Sequence, residues 1–386
     1  MTTTRRLSAA ASAPSSRPIT ATNKPTKIPR TPRIPRITPA QPSQPAAMEH
    51  YERLGKIADG ASGTVYKARD RRTGETVAIK RLRSGGANGD GAAFRETFLR
   101  EARCLEACRG HPSLVSLRAA HLLPGDEAFL VMEYAGRSLA EVLRDEDGHR
   151  RPLPEAEARR VMRRLLEGAA AMHARGVLHR DLKPDNILLD ARGGGAVKIC
   201  DFGLSRSVAI SGEAPSLTPG VATLWYRAPE VILGSRDYDA GVDTWALGCI
   251  MAELLAGAPL FPGRSEMDQL NRVFDTLGMQ GMPSWPGFAA LPRAGSGLCQ
   301  RPRPPESRLR EMFPAAALSA AGFDVLSGLL ACRPDRRLAA AEALRCPWFA
   351  DAAAAEPEAV AGDQLRATCA AAMAATVPGI TEAIIA

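Results

Sequence analysis

Residues 1–47 contain no acidic residue. The chain as a whole has no CxxC pair, no His/Cys cluster with zinc spacing, and no uncharged apolar run of about 18 residues. The first absence explains the charge. A net charge of +8 over 386 residues by itself suggests a nucleic-acid binder. Eight basic residues, however, fall in that acid-free arm (Arg5, Arg6, Arg17, Lys24, Lys27, Arg30, Arg33, Arg36), and the other 42 match 42 acidic ones. The body is neutral, so direct nucleic-acid contact is not expected of it. The second absence leaves eight scattered cysteines, read as reduced, mostly buried thiols of an intracellular protein of the nucleus, the cytoplasm or both. The third argues against a transmembrane helix.

Proline falls at every third or fourth position over residues 29–39, which rules out a helix or an inner strand there. Residues 1–50 are therefore expected to be a disordered basic arm rich in Pro, Ser and Thr. A transit peptide is the weaker reading, because the arm lacks an amphipathic face. Residues 51–134 alternate short β-type runs with turns. Strands are expected at 54–57, 64–68, 76–80 and 129–134, with one helix at 94–108. Helical periodicity then dominates, at 154–173, 242–257, 268–277 and 321–330. The expected fold class is α+β, a bilobal arrangement with a β-rich lobe (51–134) and an α-rich lobe (135–349). An Ala-rich tail occupies 350–386.

Chemistry enters with Gly60-Ala61-Ser62-Gly63-Thr64-Val65 between two strands. Small residues let backbone N–H groups approach phosphate oxygens, although most such turns are plain hairpins. Val77-Ala78-Ile79-Lys80 follows on a strand, with Lys80 facing opposite to Ile79. Glu101 on the next helix is its candidate acidic anchor. The decisive pattern is His179-Arg180-Asp181-Leu182-Lys183-Pro184-Asp185-Asn186, followed fifteen residues later by Asp201-Phe202-Gly203. Asn186 and Asp201 are hard oxygen donors of the kind Mg2+ prefers. Asp181 suits a hydroxyl nucleophile that must be oriented and relieved of its proton. Phosphoryl transfer depends on this positioning and charge neutralisation more than on covalent chemistry.

These segments, in this order, resemble a eukaryotic serine/threonine protein kinase over residues 51–349. Thr223-Leu224-Trp225-Tyr226-Arg227-Ala228-Pro229-Glu230, the segment beginning Asp243-Thr244-Trp245 and the run 260–270 are similar to the cyclin-dependent kinase branch, including its plant members. The resemblance implies ATP and Mg2+ as cofactors. It implies catalytic roles for Asp181 (base), Lys183 (γ-phosphate) and Asn186, with Asn186 and Asp201 holding the metal. Ile57, Gly60, Gly63, Val65, Ala78, Lys80, Glu101, Glu133, Ala135 and Leu188 would form the nucleotide site, with Met132 as gatekeeper. Arg227 matches an arginine linked to Ser/Thr-Pro substrates, and Glu230 would pair with Arg337. Thr218 stands at the activating phosphothreonine position, with Arg100, Arg180 and Arg206 as its expected cradle, so an upstream activating kinase is implied. The activator helix retains only Arg100-Glu101 of the branch's cyclin-docking motif, which leaves a cyclin a candidate partner rather than a required one. Ala58 replaces a usual glycine. Two alternatives stay open at this point: a scaffold that binds ATP without catalysis, and a basic arm that tethers the chain to nucleic acid or anionic lipid.

Overall fold

The computed structural model describes residues 46–350, except 61, 84–90, 125–126, 145–147, 149–150, 190–195, 208–222, 280, 295–296, 298–302 and 305. The Ala-rich tail and all but the last residues of the arm lie outside these, and so does Thr218. Helix α1 (Ala46–Glu49) is already ordered, and Met48 packs on the neighbouring sheet.

The first lobe is a five-stranded sheet in the order β1-β2-β3-β5-β4, made by β1 (Tyr51–Gly60), β2 (Gly63–Asp70), β3 (Thr76–Leu82), β4 (Leu117–Leu123) and β5 (Glu127–Glu133). The register sorts its side chains into two faces, because directly paired residues point the same way. Val65, Lys80 and Leu130 are partners across three strands, and so are Lys67, Ala78 and Met132. The other face carries Ala68, Val77, Ile79 and Val131, a small apolar cluster that Met48 and Tyr51 cover. Helix α2 (Gly91–Ala107) buries Phe94, Phe98, Glu101, Ala102, Cys104 and Leu105. Glu101 is the one charged member of that stripe, so its burial demands a partner.

The second lobe is built on α6 (Gly241–Ala256), buried at every position from Val242 to Leu255. A helix buried on all sides serves as a central post. Helix α4 (Glu155–Ala174) packs on it and on β9 (Val197–Ile199). Two small sheets then carry the site. One has the order β6-β8-β9, with β6 (Arg137–Ser138) and β8 (Ile187–Leu189). The other pairs β7 (Val177–Leu178) with β10 (Arg206–Ser207). Short helices α3 (Leu139–Val142) and α5 (Pro229–Ile232), then α7 (Glu266–Leu277), α8 (Leu309–Met312), α9 (Ala320–Leu329) and α10 (Ala340–Ala343) complete the lobe. The lobes are stitched where Val115 N donates to Ile199 O (3.0 Å) and Ile199 N donates to Ser113 O (2.9 Å). Among the described residues no helix is long and apolar enough to cross a membrane.

Glu230 and Arg337 form the expected pair. Two parallel bonds of 2.7 and 2.9 Å join them, with both side chains at most 2% exposed. Arg337 also donates to Gly241 O and stacks over Trp245. Removing one partner strands a buried charge, so Arg337→Met should lose about 3–5 kcal/mol of stability in urea unfolding. A change below about 1 kcal/mol, the size of a surface ion pair, would contradict this account.

Candidate active site

Lys80 reaches the cleft from the inner face of β3. Its Nζ lies 2.7 Å from Glu101 Oε1 and 2.7 Å from Asp201 Oδ1. The lysine and Glu101 side chains are 3% and 2% exposed, while Asp201 is 36% exposed. Burial favours the neutral amine, but the two carboxylates outweigh it and hold the lysine pKa well above its ordinary value. For Asp201, burial favours the acid, yet Lys80 beside it draws the carboxyl below its ordinary value.

A second cluster hangs from Asp181. Lys183 Nζ donates to its Oδ2 at 2.8 Å. Asn186 Nδ2 donates to Asp181 O (2.8 Å) and to its Oδ2 (3.1 Å). Both amide hydrogens of Asn186 are thus committed, which leaves its oxygen as an acceptor. The two clusters share a backbone. Cys200 N donates to Asn186 O at 2.9 Å, and His179 Nε2 bonds to Cys200 O at 2.9 Å. His179 Nδ1 accepts from Asp181 N (3.3 Å), so Nε2 carries the proton and is the donor to Cys200.

Among the described residues, the two non-glycine residues with positive φ are Arg180 (68°) and Asp201 (60°). Left-handed backbone at such residues persists only where surrounding contacts enforce it. For Arg180 the enforcer is Asp243. Its carboxylate accepts from His179 N (2.9 Å), Arg180 N (2.8 Å) and His173 Nε2 (2.9 Å), and it is 1% exposed. Burial raises the Asp243 pKa, but His173 and the backbone donors bring it below its ordinary value. In the sequence, Asp243 stands out only as part of a family-narrowing segment. A carboxylate inside a largely apolar helix is the available signal, since a buried charge needs specific donors.

The other residues expected around a nucleotide have these surroundings. Gly60 and Gly63 are paired at the tip of the β1–β2 hairpin. Gly63 has φ 143°, and a Cβ there would sit 2.2 Å from Arg81 O, so no other residue fits. Val65 and Ala78 are half-buried on the Lys80 face, and Ala58 pairs with Val65. Ala135 is buried where the chain leaves β5, and Leu188 is half-buried on β8. Ile57 is 44% exposed at the rim. The Glu133 side chain turns the other way, to Ser116 N (2.8 Å) and Lys198 Nζ (3.0 Å), so only its backbone is available to a base. Ala61 lies outside the described residues. A pocket whose wall is mostly apolar (Leu182, Ala228, Val231, Val242, Ala246) runs from Asp181 past Thr223 and Tyr226 to Arg227.

The three arginines expected to cradle a phosphate have separate surroundings. Arg180 donates from Nε to Leu204 O (2.7 Å) and from Nη1 to Tyr238 (3.2 Å). Arg206 lies on β10, which pairs with β7 just before His179, and α2 packs beside β10. Arg206 Nε and Nη1 are buried with no hydrogen-bond partner among the described residues. Arg100 is taken up by Glu96 on its own helix, at 2.9 Å.

Residues 51–349 match the family model for the protein kinase domain. The chain belongs to the protein kinase family. The kinase is 68% identical over 311 residues to a protein of Oryza sativa subsp. japonica named "Putative cyclin-dependent kinase F-2", covering 79% of this chain and 91% of that one. It is 42% identical over 310 residues to cyclin-dependent kinase G-2 of Oryza sativa subsp. indica, covering 78% of this chain and 42% of that one. It is 37% identical over 306 residues to human cyclin-dependent kinase 11B, covering 78% and 36%. The kinase thus spans nearly all of the first relative and less than half of the other two. It is a serine/threonine protein kinase of the cyclin-dependent kinase branch, with the bilobal α+β fold.

Asp201 and Asp243 both have pKa values depressed below their ordinary 3.8. Their contribution to stability is complete above that value and is lost as pH falls through the lower folded values. The urea midpoint of the kinase should therefore fall below about pH 4. Asp243→Asn should start lower at pH 7 and decline less steeply in acid. An acid decline of unaltered steepness in the variant would contradict the role given to this carboxylate.

Proposed function

We propose that the kinase transfers the γ-phosphoryl of Mg-ATP to serine or threonine followed by proline, under control of phosphorylation at Thr218. The observation that carries the catalytic reading is the Lys80 ammonium lodged between Glu101 and Asp201, beside the Asp181–Asn186 pair.

The residues fit a nucleotide and a hard divalent ion. A buried cation stands ready for α/β-phosphate oxygens, and the hairpin tip is pared to glycine at Gly63. One oxygen of Asp201 is committed to Lys80, and the amide hydrogens of Asn186 are committed to Asp181. That leaves a hard oxygen on each. Two protein donors completed by phosphates and water are what Mg2+ accepts. When bound, such an ion supplies charge neutralisation at the phosphates. Asp181 then orients the substrate hydroxyl and takes its proton as the oxygen bonds to phosphorus and the bond to the ADP oxygen breaks. Lys183, hydrogen-bonded to Asp181, is placed to meet the γ-phosphate. Ile57, Gly60, Val65, Ala78, Leu188 and the backbone of Glu133 and Ala135 enclose the adenosine, with Met132 behind it.

Support for the switch comes from Arg206. Two of its N–H groups are buried without a partner among the described residues, a state that favours an incoming anion. A phosphate on Thr218 is such an anion, and Arg180, with Arg100 on the helix that packs beside β10, would supply further cations. The Pro-directed reading rests on Arg227 and on the pocket that joins it to Asp181. The relatives' names bring a cyclin to this chain as the activator to test, docked beside α2. Cys104, Cys108, Cys200, Cys249, Cys332 and Cys346 are free thiols, which supports the nucleus or cytoplasm as its place. Burial pushes the Cys200 thiol far up, which supports packing rather than redox chemistry there.

One assay with degenerate peptides tests this reading. The parent should prefer Thr-Pro and Ser-Pro. Asp181→Asn should lose about 10²–10⁴ in kcat while still binding ATP. Thr218→Ala should fall well below the phosphorylated parent. Equal turnover in the parent and Asp181→Asn would defeat the catalytic assignment, and absence of turnover in the phosphorylated parent would favour a scaffold.

A further inference from the structure

Beyond the catalytic clusters, the segment 223–228 is held by an unusual number of contacts from one place, the N-terminal end of α7 and the turn before it. Trp225 Nε1 donates to Gly263 O at 3.0 Å. Gln269 Nε2 donates to Trp225 O at 3.1 Å, and its Oε1 accepts from Gly263 N at 2.9 Å. Gln269 is fully buried, and a Cβ on Gly263 would fall 2.3 Å from its Oε1, so the three groups interlock without slack. Glu266 adds an ionic contact. Its Oε1 accepts from Arg227 Nη1 at 2.9 Å, and its Oε2 meets Arg293 Nη2 at 2.7 Å. Arg293 is anchored in turn on the end of α5, through its backbone N to Leu233 O (3.1 Å) and its side chain to Ile232 O.

The two oxygens of one carboxylate are thus divided between two arginines. One belongs to the wall of the pocket that begins at Asp181. The other belongs to the loop that follows α7. Arg227 has a long, rotatable side chain, and ordering such a chain costs entropy that a fixed partner offsets. The Glu266 and Arg293 side chains are 36% and 41% exposed, so their value to overall stability is small. Their value lies in where they put Arg227.

We infer that Glu266, braced by Arg293, is a positioning residue that sets the kinase's discrimination for proline after the phosphorylated residue by fixing the Arg227 guanidinium. The inference deepens the Pro-directed reading and rests on it. Glutamine at this position loses the charge and puts an NH2 donor where one of the two arginines now meets a carboxylate oxygen. Loss of Arg293 leaves Arg227 its partner but removes the brace on the other oxygen.

The test is a pair of peptides identical except for Pro or Ala after the acceptor threonine. The full-length kinase phosphorylates each, and kcat/KM and the KM for ATP are measured together with the thermal midpoint. The Pro-to-Ala ratio of kcat/KM should fall about fivefold in Glu266→Gln and by a smaller factor in Arg293→Met, with the KM for ATP unchanged in both. A general structural lesion would lower both peptides alike and leave the ratio intact. A parent that prefers proline, with an unchanged ratio in Glu266→Gln, overturns the inference and leaves the Pro-directed reading standing. A parent with no preference sinks that reading and the inference together. If Glu266→Gln does not fold, Arg293→Met decides: an unchanged ratio there overturns the brace.

Discussion

A lysine ammonium with almost no exposure to water is costly to bury unless it is paired, and in this kinase one buried ammonium is paired twice. Lys80 belongs to the sheet, Glu101 to α2, and Asp201 to the segment after β9. Three elements far apart in sequence therefore have to meet at one nitrogen. Each of them is also committed elsewhere. The strand is held in register on both sides, α2 is held by Phe94, Phe98 and Leu105, and β9 is stitched to Ser113 and Val115. The junction closes only when those commitments are compatible. It is therefore both a structural keystone and the point where a phosphate would find its cation.

The catalytic loop follows a similar logic with the opposite charge. Asp243, at the start of the fully buried α6, is satisfied by two backbone N–H groups and one histidine. Those bonds offset the left-handed backbone of Arg180 and set the direction of Asp181 one residue later. His179 carries the constraint across to Cys200, whose neighbour is Asp201. The two acidic groups of the site are thus tied through one histidine and one central helix. The left-handed backbone at Arg180 and Asp201 lies beside Asp181 and within the proposed metal site, as expected where geometry is enforced from outside.

Much of this was readable beforehand because the chemistry needs particular atoms at short sequence spacing. Asp181, Lys183 and Asn186 lie within six residues, and the Lys80 and Glu101 assignment followed once they were seen. The larger helices were found within a few residues of their observed limits, since their apolar stripes repeat clearly. Strand β4 was missed because Leu117-Arg118-Ala119-Ala120-His121 shows no alternation. It is an edge strand whose register comes entirely from β5. The roles of Asp243 and Glu266 were not evident, because their partners lie 64 and 39 residues away and only the fold brings them together. The order at Ala46–Glu49 also went unseen: Met48 gains its place from a sheet face that no local pattern announces.

The central claim is that the buried ammonium of Lys80 organises the site and serves the nucleotide. The most direct measurement is ATP-dependent kcat/KM for Lys80→Met beside the parent, with circular dichroism to follow the fold. The account predicts a loss of about 10²-fold or more with the helical signal retained. Parent-like kcat/KM in the variant would contradict it.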